Sequence, residues 1–193
     1  MGVKSAQQIY NETRADRFNT QNLPPILTKS NCFRSTAIIQ RANNLTAYTF
    51  AASPESGDQY GATMLLENFG TPNSFVLLLG IEITMNIVTP IPATLGTAKL
   101  YLFSETPNPA RVDNDVFALP LGDSNNCLTK DGIPFTFRAA TGGGSCVAVV
   151  NDTRRLMFVP ATGNVFACIV LGTALIPNAV SESGVLTTIT LEA

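Results

Sequence analysis

Five carboxylates crowd one stretch of this chain: Glu105, Asp113 and Asp115 lie in one connection, and Asp123 and Asp131 flank the next. Two carboxyl groups facing each other across a cleft are enough for glycoside hydrolysis, so any acid–base chemistry would have to sit here. Spacing alone puts no two of them on opposite sides of a substrate. The run Asp113-Asn114-Asp115 also opens like a calcium loop. Its sixth position is Ala118 rather than Gly and its twelfth is Ser124 rather than Glu, which excludes an EF-hand. The expectation for Asp113 and Asn114 is therefore structural: side chains that accept local backbone N–H bonds and shape a turn before Val116 and Phe117 enter the core.

Other routes to chemistry are closed or weak. The 193 residues contain no histidine, so a Ser-His-Asp or Cys-His site within the chain has no base, and the commonest transition-metal ligand is missing. A Ser-Lys pair would have to draw on Lys4, Lys99 or Lys130, none of which sits in a recognisable motif. The four cysteines, Cys32, Cys127, Cys146 and Cys168, are widely separated with no C-x-x-C pair. Buried free thiols are expected; if two disulfides formed, three connectivities would be open. Gly142-Gly143-Gly144-Ser145 lacks the lysine of a P-loop and reads as an inter-strand loop. The Asn-x-Thr triplets at Asn11, Asn44 and Asn151 are chance matches in a Thr- and Asn-rich chain with no secretion signal. The reading is of a protein that is not an enzyme and takes no cofactor and no metal.

The elements that would position these groups are strands. Hydrophobic residues make up 45% of the chain and charged residues 13%, with Gly, Pro, Asn and Thr punctuating short β-branched runs. Strands are expected at Phe33–Arg41, Gln59–Asn68, Phe75–Val88, Thr97–Ser104, Gly132–Ala139, Cys146–Val150, Arg154–Val159, Val165–Thr173 and Val185–Glu192. In the last, Val185, Thr187, Ile189 and Leu191 share one face and Leu186, Thr188, Thr190 and Glu192 the other. Pro- and Gly-rich breakers stand between them, as in Thr89-Pro90-Ile91-Pro92 and Thr106-Pro107-Asn108-Pro109. Eight or nine short strands with no long helical period predict an all-β fold, a jelly-roll-like β-sandwich, in residues 31–193. The longest apolar run, Phe75–Ile83, contains Gly80 and Glu82 and falls far short of the ~20 residues of a membrane-spanning helix. No membrane association is expected.

Residues 1–30 read as an extended N-terminal arm. They are polar, with Ile9, Tyr10, Phe18 and Leu23 as scattered apolar anchors, and end in Leu23-Pro24-Pro25-Ile26-Leu27, where adjacent prolines stiffen the backbone and remove two donors. Ser5 to Phe18 could form a short helix, marginal unless docked. The net charge of −2 offers no reason to hold nucleic acid, but it is unevenly spread. Residues 1–41 carry six cations, among them Lys4, Arg14, Arg17 and Lys29, against two anions, giving +4 and leaving −6 for the rest. Such an arm suits an acidic partner surface. In the body, Arg154 and Arg155 precede Leu156-Met157-Phe158, and Arg138 ends Phe135-Thr136-Phe137. Arginine beside aromatics is common in protein interfaces, which makes these three candidate partner contacts.

One set of segments is familiar in its order. Arg34-Ser35-Thr36-Ala37-Ile38-Ile39-Gln40-Arg41, Leu45-Thr46-Ala47-Tyr48, Gly57-Asp58-Gln59-Tyr60-Gly61, Lys99-Leu100-Tyr101-Leu102-Phe103 and Asp113-Asn114-Asp115-Val116-Phe117 together resemble tailed-bacteriophage virion structural proteins of about this size, over roughly residues 33–175. The chain departs from that pattern in the longer stretch Ala51-Ala52-Ser53-Pro54-Glu55-Ser56 before Gly57-Asp58. The resemblance implies no catalytic residues. It implies a capsid cement or decoration protein of the virion exterior, trimeric, assembled in the host bacterial cytoplasm and bound to the major capsid protein. The alternatives are a tail, neck or fibre component, or a glycan-binding sandwich with aromatic side chains exposed in a groove.

Overall fold

A computed structural model describes residues 32–41, 57–86, 97–108, 112–119, 121–139, 145–172 and 183–193. Nine strands and one short helix make up its regular structure: β1 (Cys32–Ile39), β2 (Met64–Leu66), β3 (Phe75–Asn86), β4 (Thr97–Phe103), α1 (Leu121–Asn126), β5 (Ile133–Thr136), β6 (Arg138–Ala139), β7 (Ser145–Phe158), β8 (Val165–Leu171) and β9 (Ser183–Glu192). They form two sheets, one ordered β1-β9-β3-β7-β6 and the other β2-β8-β4-β5, and every pairing is antiparallel. Leaving aside the two-residue β6, the first and last strands are neighbours in one sheet and the second and seventh in the other. This interleaving is the double Greek key of a jelly roll. The expected all-β sandwich is what the chain forms.

The core lies between the sheets. From the five-stranded sheet, Val76, Leu78, Ile81, Ile83 and Met85 of β3 point inward; from the other come Leu100 and Leu102 of β4 and Ala167 and Ile169 of β8. A second, smaller core lies on the far side of the four-stranded sheet. There Tyr101, Phe103, Cys168 and Val170 face outward and are covered by Phe117 and Cys127, so β4 and β8 are buried on both faces. That accounts for the nearly continuous apolar runs of these strands, where a half-exposed strand would alternate. The cover is the connection from Ser104 to Asp131, which includes α1. It is pinned by the Phe117 ring 4.6 Å from that of Tyr101, by a Phe103–Cys127 bridge, and by the Leu102 N–H donating to Thr129 Oγ1 at 2.8 Å.

Several expected boundaries change. Cys146–Val150 and Arg154–Val159 are one strand, because a bulge absorbs the polar stretch between them: Leu78 pairs with Arg155 but Gly80 with Asn151. The Thr153 hydroxyl donates to the Leu78 carbonyl within this bulge. Gly132–Ala139 is two strands in different sheets, β5 beside β4 and β6 beside β7, with the chain crossing at Phe137. Pro134 is tolerated because β5 is an edge strand. Of Gln59–Asn68 only Met64–Leu66 is a strand, since the chain turns at Gly61, whose φ of 78° lies in the left-handed region. Helix α1 was not expected. The proposed helix of Ser5–Phe18 and the whole arm lie outside the described residues.

Candidate functional site: a buried polar node and an open sheet face

Three segments far apart in sequence meet at one end of the four-stranded sheet: Arg41, Gly57–Gly61 and Asp113–Phe117. The backbone knits the last two together. Gln59 N–H donates to Asp115 O at 2.8 Å, Asn114 N–H to Gln59 O at 2.9 Å, and Phe117 N–H to Gly57 O at 2.8 Å. Gln59 also bridges to Val170, and Leu171 N–H donates to Asp58 O, which fastens the segment to β8. A side chain at position 57 would overlap the Leu171 carbonyl oxygen, so the close approach needs glycine.

Side chains complete the node. Asp113 Oδ1 accepts from Gly61 N–H at 2.7 Å, and Asp113 Oδ2 lies 4.0 Å from Arg41 Nε, with the two side chains 3% and 1% exposed. The Arg41 guanidinium sits over the Tyr60 ring, 5.4 Å from its centroid. Asn114 adopts φ 68°, the left-handed conformation Asn tolerates better than most residues, and Asp115 Oδ2 accepts from Val112 N–H at 3.2 Å. The turn before Phe117 is present, but its expected details change: the Asp113 carboxylate bonds across the fold to Gly61, the local bond is made by Asp115, and Val116 is 62% exposed while Phe117 alone enters the core. A carboxylate facing a guanidinium is also poorly disposed to a calcium ion.

Two of the other carboxylates singled out in the sequence tie together the connection between β4 and β5. Asp123 Oδ1 accepts from Asn108 N–H at 3.0 Å, and Glu105 Oε2 from Asn126 Nδ2 at 3.1 Å. Among the described residues no group of three Cys, Asp or Glu side chains is placed to hold a metal ion. Cys127 and Cys168 are buried free thiols, but Cys32 is exposed, which corrects the expectation of burial: it starts β1 on an outward-facing position. Burial pushes the Cys127 thiol above its ordinary value, against smaller opposing contributions from hydrogen bonds to Thr129 and from Lys130.

The expected partner contacts are not gathered in one place. Lys4, Ile9, Tyr10, Arg14, Arg17, Phe18, Leu23 and Lys29 lie outside the described residues. Arg138 pairs in register with Val147, whereas Arg154 and the half-buried Arg155 lie at the other end of β7. At ~3.3 Å per residue, about 26 Å of strand separates the backbone positions of Arg138 and Arg155.

A surface that the sequence did not single out is the outer face of the five-stranded sheet. In register across it, Leu156 of β7, Leu77 of β3 and Leu191 of β9 stand side by side, as do Val147, Thr84, Val185 and Ile38 further along. Ile38 is 72% exposed, Leu156 59%, Val149 55% and Ile189 41%. The one available signal was in β9, whose two faces are similarly apolar in sequence. The core takes Leu186, Thr188 and Thr190; Val185 and Ile189 are left outside.

No family model matches the chain, and no curated protein matches it. Solved structures with a similar chain course include one from the cyanophage Pam1 capsid asymmetric unit, at 11% identity and TM-score 0.30, covering 90% of this chain and 94% of that one. A chain of Cocksfoot mottle virus matches at 10% identity and TM-score 0.27, covering 84% and 93%, and one of the Kashmir bee virus virion at 11% and 0.29, covering 100% and 82%. These scores are low, and the jelly-roll assignment rests on strand order and register alone.

Proposed function

We propose that the chain is a virion structural protein of the cement or decoration type, a preformed jelly-roll body that clamps neighbouring major capsid proteins from the capsid exterior. The observation that carries this reading is the buried node. Three of the segments through which the chain resembles tailed-bacteriophage structural proteins, ending at Arg41, Gly61 and Phe117, meet there and are used to hold the fold together. Asp113, Asp123 and Glu105, on which an enzyme reading would draw, are bonded to other groups of the fold.

In this mechanism the basic arm, with Lys4, Arg14, Arg17 and Lys29, reaches an acidic capsid surface while Ile9, Tyr10, Phe18 and Leu23 anchor it, and the body supplies further modest contacts. The assembly is a homotrimer, formed in the bacterial cytoplasm, without membrane or direct nucleic-acid contacts.

The test is a reconstruction of the virion whose genome encodes this chain, with the protein composition read by mass spectrometry. Jelly-roll density on the outer head surface at capsomer junctions is the expected result. Density in the neck, tail or fibre transfers the chain to the alternative class, and absence of the chain from purified virions overturns the proposal.

A further inference from the structure

We infer that the outer face of the five-stranded sheet is a self-association surface whose occupant is a second copy of this chain. The two sheets are treated differently by the fold. The outward apolar side chains of β4 and β8 are covered by the chain's own Ser104–Asp131 connection, with Phe117 on Tyr101. On the opposite side, Ile38, Val149, Leu156 and Ile189 face outward, 41% to 72% exposed. Exposed apolar side chains gathered on one face mark an interaction site.

Size and charge select the occupant. Four strands about 4.8 Å apart and roughly 30 Å long give a face on the order of 600 Å² before side-chain relief, close to the ~800 Å² each partner contributes to a stable interface. Among its described side chains the face carries one exposed cation, Arg34 on β1, and one exposed anion, Glu82 on β3. With its described charges balanced, the face sets no excess of one sign against a copy of itself and offers little to a strongly acidic or basic partner. The chain's net charge of −2 adds little repulsion between copies. The inference rests on the self-assembly part of the proposed function and deepens it by naming the surface through which copies meet.

The test is sedimentation equilibrium of the full chain under reducing conditions, at concentrations up to about 100 μM, well above the micromolar upper limit typical of interfaces of this size. Three variants accompany it: Leu156→Lys and Ile189→Lys on the face, and Leu121→Lys on α1, which is 85% exposed and lies elsewhere. The wild type and Leu121→Lys should sediment as a closed oligomer, and both face variants at the 20.5 kDa of one chain, with thermal transitions unchanged. A monomeric wild type overturns the inference. Oligomeric face variants with intact thermal transitions also overturn it. No capsid is present in the experiment, so its failure removes self-assembly but leaves capsid binding, which the virion reconstruction tests.

Discussion

Gly61 and Asp113 are 52 positions apart in the chain, yet the Gly61 N–H donates to Asp113 Oδ1 at 2.7 Å while the other carboxylate oxygen faces Arg41. One buried side chain thus ties the turn after Gly57 to the Asp113–Phe117 segment and compensates a buried guanidinium. Removing one partner of such a pair leaves the other charge uncompensated. Asp113→Ala should therefore cost about 3 kcal/mol, read as a lower denaturant midpoint at constant slope. The double variant Arg41→Met/Asp113→Ala should lose less than the sum of the two single variants, and strict additivity would refute the coupling.

The close approach of Gly57 to β8 predicts a second, independent loss. Gly57→Ala places a methyl group into the Leu171 carbonyl, a backbone atom that moves only if the strand moves. The expected destabilisation is about 1–3 kcal/mol by thermal or chemical unfolding. A variant as stable as wild type would mean that the segment docks less tightly than this contact requires.

Phe117 belongs to the second core and not to the first. Phe117→Ala should cost about 3 kcal/mol and expose the Ser104–Asp131 connection first. Limited proteolysis followed by mass mapping should find early cuts there. Cuts distributed evenly over the chain would contradict a separately melting cover.

Thiol chemistry should separate the cysteines by burial. Cys32 should be alkylated in the native protein, and Cys127 and Cys168 only after unfolding, as mapped peptide by peptide. Because the native Cys127 thiol is raised above its ordinary 9.0, the folded state holds that proton more tightly than the unfolded chain. Its stabilising contribution is complete below the unfolded value and is lost as pH rises through the native one. Between about pH 8 and pH 10, Cys127→Ala should lose less stability than wild type. Parallel pH curves for the two proteins would count against it.

The arm predictions follow from the proposed function. Deleting residues 1–28 should leave the thermal transition nearly intact and abolish association with capsids. Changing Lys4, Arg14, Arg17 and Lys29 to Gln should weaken decoration of emptied capsids and flatten its salt dependence, since the Debye length falls to ~3 Å at 1 M salt. Equal affinity and equal salt response in the two proteins would remove the electrostatic part of the mechanism.

Much of the sandwich is legible in local pattern. β3 and β4 begin at the residues where Phe75 and Thr97 end a breaker-rich stretch, because proline and glycine punctuate the backbone whatever the tertiary context. The turn at Asp113 and Asn114 is legible for the same reason, but the partner of the Asp113 carboxylate is not, since Gly61 lies 52 positions away. The fusion of two expected strands into β7 is not, since the bulge opposite Leu79 exists only once β3 is alongside. Nor is the division of Gly132–Ala139 between two sheets, which depends on where β4 and β7 lie.

The candidate surfaces divide in the same way. Composition alone determined an all-β chain without histidine, with a basic, proline-stiffened leading segment, because residue type fixes backbone preference and available chemistry. Tertiary structure decided which of the two similar faces of β9 goes inside. Pairing with β1 and β3 turns Thr188 and Thr190 to the core, where Thr190 Oγ1 donates to the Phe69 carbonyl at 2.6 Å, and turns Val185 and Ile189 to the surface. A one-residue shift of register would exchange the two sets, and in a strand this evenly apolar only the neighbouring strands and loops specify the register.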